Sequence, residues 1–141
     1  MTQDYKLETL KRYAQFLGFG KIYSKIDINT GLHAIIAVHN TQPGPAIGGC
    51  RMYHYPSSNQ ALYDVLRLSY MMTMKAAICD LPHGGAKSVI LTPQNSYSRP
   101  DLFHSFGRFV NSLNGDYIVA CDVGTTTNDM DYIAEQTPYV I

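Results

Sequence analysis

The spacing of apolar and polar residues changes period several times along the chain, and each change marks a new element. Over residues 4 to 17, Tyr5, Leu10, Tyr13, Ala14 and Leu17 recur at helical spacing, and Gly18 and Gly20 can stop the helix they predict. Ile22 to Ile28 and Leu32 to His39 then alternate apolar with polar positions, which predicts two strands joined at Asn29-Thr30-Gly31 as a hairpin. Gln42-Pro43-Gly44-Pro45 breaks the chain, and Ile47 to Tyr53 reads as a short strand with two glycines at its start. From Ser58 the period becomes helical again, with Ser57 or Ser58 as cap and Leu62, Val65, Leu66, Ser69 and Met72 as one stripe. This long helix delivers Lys75 near its C-terminal end. Ala86 to Leu91 is mostly apolar, as expected of a strand covered on both faces. Pro100 to Leu113 predicts a helix, Tyr117 to Ala120 a buried strand, Asn128 to Gln136 a helix, and Tyr139-Val140-Ile141 the start of a further strand.

That rhythm is the rhythm of an α/β fold: a three-layer α/β/α domain with a mostly parallel sheet and an antiparallel hairpin at its edge. A chain of 141 residues, 45% of them hydrophobic, suits one domain over 1–141. At this size folding hides about two thirds of the unfolded surface, so no disulfide or metal staple is required. Lys and Arg number 11 and Asp and Glu 11, so the formal charge is zero. Such a balance argues against partners that need a basic surface, namely nucleic acid and membrane. Cys50, Cys79 and Cys121 are too few and too scattered for a disulfide framework, which predicts a reducing compartment. The opening Met1-Thr2-Gln3-Asp4-Tyr5-Lys6 is polar with no apolar run after it, and no stretch reaches the roughly 18 apolar residues of a membrane span. A cytoplasmic location is the expectation.

Three segments carry candidate chemistry. Gly44-Pro45-Ala46-Ile47-Gly48-Gly49-Cys50-Arg51-Met52 has adjacent glycines, which let a ligand approach backbone or simply form a bulge. Met72-Thr73-Met74-Lys75 ends a core stripe in a lysine, ordinarily a solvated residue that suits the end of a helix dipole. Gly84-Gly85-Ala86-Lys87 pins a lysine among apolar strand residues, where an unpartnered lysine is rare. In such folds ligands gather beyond the carboxyl ends of the strands, so these segments are expected there. None is a phosphate loop: Ala86 separates Gly85 from Lys87, and the glycines precede a strand rather than a helix. No G-x-G-x-x-G occurs, so this chain itself is not expected to bind NAD. Cys50 with His54 and Cys79 with His83 invite a zinc reading. On a strand residues four apart lie about 13 Å from each other, too far for one ion, and Pro82 interrupts the second pair. No metal site is expected, and the cysteines read as small packing residues. No serine or cysteine nucleophile is supported, because G-x-S-x-G is absent and the five histidines are scattered.

Taken in order, Gly44 to Met52, Met72-Thr73-Met74-Lys75-Ala76-Ala77, Leu81-Pro82-His83-Gly84-Gly85-Ala86-Lys87 and Ala120-Cys121-Asp122-Val123-Gly124-Thr125 resemble the amino acid dehydrogenases of the glutamate, leucine, phenylalanine and valine family. The likeness is strongest to the leucine, valine and phenylalanine branch and runs from about Leu32 to Ile141. It matches the N-terminal half of such an enzyme, which binds the amino acid and makes subunit contacts; a following Rossmann domain binds NAD. The resemblance therefore implies a homo-oligomer of at least two chains, with Ile22 to Ile28 as a candidate dimer edge, and no activity for this half alone.

The same resemblance implies roles. Lys75 would grip the substrate α-carboxylate, and Gly48 and Gly49 would bring backbone close to the amino acid. Lys87 would be the base that activates water, and Asp122 would exchange protons with the substrate nitrogen. A free lysine is protonated at neutral pH; burial and a second cation, here Lys75, favour the neutral amine that a base requires. Without the resemblance, Asp122 would read as a helix cap before Thr125 to Thr127. Glutamate-specific relatives have a lysine at the position of Ile47, which meets the side-chain carboxylate. Ile47 would leave that carboxylate desolvated and unpaired, so with Met72 and Ala120 it implies a pocket for an apolar side chain. Two readings of other classes stay open: a non-catalytic dimerisation module, and a free-standing amino-acid-binding module.

Overall fold

A computed structural model describes residues 5–141. Its elements follow the predicted order: α1 (Leu7–Leu17), β1 (Lys21–Asp27), β2 (Leu32–Val38), β3 (Ala46–Tyr53), α2 (Ser58–Ile78), β4 (Gly84–Leu91), α3 (Arg99–Asn111), β5 (Tyr117–Cys121) and α4 (Thr127–Ala134). Residue 4, where the first helix was expected to open, lies outside the described residues. The helix ends are set by local chemistry. Gly18 closes α1 in the left-handed region at φ 85°. Ser57 caps α2 by accepting the Gln60 N–H at 3.1 Å, and Ser98 caps α3 just before Pro100. Thr126 and Asp129 cap α4 reciprocally, so the cap before that helix is Thr126 and not Asp122.

The sheet order is β1-β2-β4-β3-β5. β2 is antiparallel to both of its neighbours, β1 and β4, whereas β3 is parallel to β4 and to β5. Only β2 therefore runs against the rest: the sheet is mostly parallel with the hairpin at its edge. Val140 bridges Val119 in parallel, so the last residues do begin another pairing outside β5. The alternation expected of both hairpin strands exists only in β1. β2 is buried along nearly its whole length, because it lies second from the edge with helices over both faces.

Two apolar clusters make the layers. Leu32, Ile36, Met52, Ile90, Tyr117 and Val119 face α3 and α4 on one side. Ile35, Ala37 and Val89 face α1 and α2 on the other, against Ala61, Val65 and Leu66. The buried line of α2 is Ala61, Val65, Leu66, Ser69, Thr73 and Ala76, so Met72 is only half-buried and Thr73 takes the place expected for it. Of the cysteines only Cys50 is a packing residue; Cys79 and Cys121 are exposed. Among the described residues no helix is long and apolar enough to cross a membrane.

Candidate functional site

Helix α2 packs along β4 and β2 and scarcely touches β3. The face of β3 and β5 beside it is thus left uncovered, and side chains there are half-buried: Ile47 and Arg51 on β3, Ile118 and Ala120 on β5, and Asp122 directly after it. Strand alternation and register put Gly49, Gly85 and Lys87 on the same face, since Ile47 pairs with Gly85 and Gly49 with Ala120. Asp64, Leu68, Met72 and Lys75 recur at helical spacing along the flank of α2 that borders this face. Ile47, Met72, Lys75, Lys87, Ala120 and Asp122 are therefore brought to one side of the sheet. The site runs across this open face, not only beyond the carboxyl ends of the strands: Met72 and Thr73 sit over Gly85 near the start of β4, and Asp122 marks the other end.

Lys87 is the fourth residue of β4, which opens two residues earlier than expected, and its side chain is buried. Its Nζ lies 3.1 Å from Asp122 Oδ2, and Arg51 Nε donates to the same oxygen at 3.0 Å. Burial pushes the Asp122 carboxyl up, but the two cations outweigh it and hold the group below its usual range. The partner of Lys87 is thus a carboxylate rather than a second cation. Lys75 is exposed and makes no ion pair among the described residues, which leaves it available to an anion.

The glycines have reasons of their own. A Cβ on Gly49 would lie 2.7 Å from Asp122 Cβ, so Gly49 is what lets Asp122 fold over β3. A Cβ on Gly48 would point into the Ala86 carbonyl, on the α3 and α4 side of the sheet, and the Gly48 carbonyl accepts from Tyr117 Oη at 2.8 Å. Of the pair, only Gly49 faces the site. Beneath it, Ser88 Oγ donates to Tyr117 Oη at 2.7 Å, and burial pushes both Tyr117 and Cys50 upward, Cys50 to about 12. Neither is a nucleophile at neutral pH.

Arg51 and Asp64 belong to the site although no role was read for them from sequence. Arg51 extends from Asp122 to within 3.5 Å of Asp64, which also accepts from Tyr55 Oη at 2.6 Å and pairs with Arg67 at 2.8 Å. Arg51 stands inside the glycine segment, yet its partners lie on other elements, and that proximity has no trace in the local sequence. No group of three or more His, Cys, Asp or Glu that could hold a metal occurs among the described residues. Gly84 and Gly85 are the first two residues of β4, and Cβ atoms there would abut Asn40 O and Thr73.

Comparison of the whole chain with known proteins places this α/β domain in a class. The family model of the Glu/Leu/Phe/Val dehydrogenase dimerisation domain covers residues 18–139, and the chain belongs to that family. It is 48% identical over 115 residues to the phenylalanine dehydrogenase of Caldalkalibacillus thermarum, covering 82% of this chain and 31% of that protein. With the leucine dehydrogenase of Geobacillus stearothermophilus it shares 45% over 131 residues, 93% of this chain and 36% of the relative. The solved L-tryptophan dehydrogenase from Nostoc punctiforme superposes with a TM-score of 0.86 at 39% identity, over 93% of this chain and 39% of that one. The chain spans about a third of the length of the curated relatives it matches.

Proposed function

We propose that this chain is the substrate-binding and oligomerisation domain of an NAD-dependent dehydrogenase of apolar L-amino acids. The reaction converts the amino acid, NAD⁺ and water to the 2-oxo acid, ammonium, NADH and a proton. When bound by a nucleotide-binding domain of the full-length protein, the nicotinamide cofactor would supply the hydride acceptor; the residues of this chain bind the amino acid and move its protons. The observation that carries the reading is the buried Lys87 held 3.1 Å from Asp122 on the open face bordered by Lys75.

Lys75, exposed and unpaired, takes the substrate α-carboxylate. Lys87 in its neutral form draws a proton from the water that attacks the imino carbon, and Asp122, within hydrogen-bonding reach of it, exchanges protons with the departing nitrogen. Gly49 lets backbone and Asp122 approach the amino acid; the proposed part of Gly48 is limited to its main chain. Ile47, Met72 and Ala120, all half-buried on this side, receive the apolar side chain. A glutamate carboxylate would meet no cation at Ile47, so leucine, valine, isoleucine or phenylalanine fits better. The same domain supplies the contact to a second copy, through the exposed edge of β1. Against a module that only bound amino acids or only dimerised stands the placement of Lys87 with Asp122 on the open face bordered by Lys75, where a base would be needed and a mere packing pair would not.

The test uses the full-length protein that carries this chain. Lys87→Ala should lower leucine-dependent NAD reduction at least about a hundredfold, the usual contribution of a positioned base. Lys75→Ala should act mainly on KM, if the carboxylate is gripped alike in ground and transition states. Intact turnover in Lys87→Ala would overturn the assignment.

A further inference from the structure

Two cations share one oxygen of Asp122: Lys87 Nζ at 3.1 Å and Arg51 Nε at 3.0 Å both meet Oδ2. Oδ1 has no hydrogen-bond partner among the described residues. Arg51 is itself held, with Nη1 at 3.5 Å from Asp64 Oδ2, and Asp64 is fixed by Tyr55 and Arg67. Asp64 makes no ion pair with Lys87 among the described residues, and what links it to Asp122 is Arg51. From these contacts we infer that Arg51, anchored by Asp64, is the positioning residue that fixes Asp122 with Oδ1 free for the substrate and compensates its charge whenever Lys87 is neutral. The inference rests on the proposed oxidation for its chemistry and on the ion-pair network for its geometry.

The physical argument concerns what happens when Lys87 serves as a base. If Lys87 were the sole partner of Asp122, neutralising the amine would strand a half-buried carboxylate, and the carboxylate would compete for the proton itself. Arg51 cannot lose its proton, so Asp122 keeps a cation at 3.0 Å in either state of Lys87. The charges of the network agree. Lys87, Arg51 and Arg67 oppose Asp122 and Asp64, so the cluster is neutral when Lys87 is neutral and carries one positive charge when it is not. Three further titratable groups feel the Asp122 charge, Tyr55, Cys50 and Tyr117; all are pushed up by burial and stay protonated at neutral pH. A lysine at position 51 could supply the charge but not span Asp122 and Asp64 at once.

Two measurements test the inference. In the full-length enzyme, Asp64→Asn and Arg51→Gln should lower kcat about tenfold or more with KM nearly unchanged, as misplacement of a reacting group does. Arg51→Gln should also move the acid limb of the kcat profile to higher pH, because Asp122 loses a cation and then needs a higher pH to ionise. A merely structural residue would lower the melting temperature and leave that limb in place. In the 141-residue chain, the Asp122 carboxyl carbon followed by NMR should titrate at higher pH in Arg51→Gln than in the unmodified chain. If Arg51→Gln fails to fold, Arg51→Met, which also removes the cation, carries both readouts. An unmoved limb and an unmoved carboxyl midpoint in a folded Arg51 variant would overturn the inference. If the unmodified full-length protein oxidises no apolar amino acid, the functional reading falls, and the carboxyl titration alone decides whether Arg51 holds Asp122.

Discussion

Asp122 stays ionised against its burial because Lys87 and Arg51 both face one of its oxygens. Asp129 repeats the arrangement on α4: burial raises its carboxyl, while the bidentate Arg99, at 2.8 and 2.7 Å, outweighs it and holds the group low. A carboxyl whose folded value lies below its unfolded one stabilises the fold at pH above the unfolded value, and that contribution disappears as pH falls through the folded value. The stability of this domain should therefore hold from neutral pH down to about pH 4 and fall below it. Asp122→Asn should flatten part of that acid fall. At pH 7 it should cost about 3 kcal/mol, because the buried Lys87 then faces an amide in place of its carboxylate partner. Urea denaturation at pH 7 and at pH 3 measures both effects, and an acid fall as steep as in the unmodified chain would refute the link to Asp122. Lys87 was legible in the sequence because a lysine among Ala, Val, Ile and Leu needs a reason. Arg51 was not, since an ion pair joining positions 51, 64 and 122 leaves no periodic signal in any of the three neighbourhoods.

At the scale of elements, periodicity carried most of the fold, and the observed bounds fall within a few residues of the expected ones. Strand order is different in kind. That β4 inserts between β2 and β3 depends on which edges remain open after the hairpin forms, and no run of residues encodes it locally. The glycines show the same limit. Gly84-Gly85 stands in the sequence simply as a glycine pair ahead of Lys87, whereas Gly85 is where α2 lies directly on β4: an added Cβ would collide with the backbone N and the Oγ1 of Thr73. Both contacts belong to α2 itself, so the clash cannot be relieved by turning a flexible side chain. Gly85→Ala should push α2 off the sheet and destabilise by about 1 to 3 kcal/mol, the usual penalty of overpacking. That corresponds to a melting point lower by very roughly 5 to 10 °C for a domain of this size. Because α2 also carries Lys75 and Met72, the full-length variant should lose substrate affinity as well. A melting curve like that of the unmodified protein would mean that the helix can move away at no cost.

At the scale of the molecule, the open question is what meets the free edge of β1. One side of this strand pairs with β2 and the other pairs with nothing in the sheet. Ile22 and Ile26 share one strand face, opposite Ala37 and His33 in the ladder, and are 41% and 69% exposed because the helices of that layer do not reach over β1. Tyr23, on the other face, packs against the α3 and α4 layer. A strand with an open backbone edge and isoleucines on one face is a template for pairing, here checked only by Lys21 and Lys25. For a family whose model is that of a dimerisation domain, a second copy of this chain is the fitting occupant. Pairing about a two-fold axis would use each residue twice, so a substitution that spoils one contact spoils its mate as well. Replacing Ile26 by lysine removes burial worth about 1.5 kcal/mol or more per copy, hence about 3 kcal/mol per dimer and about a hundredfold in Kd. Sedimentation of the chain over a range of micromolar concentrations should show the unmodified form as a dimer or larger and Ile26→Lys displaced toward monomer, with an unchanged melting point extrapolated to monomer. If both forms associate equally, the contact lies elsewhere, and the exposed isoleucines of β1 are a solvated edge guarded by its lysines.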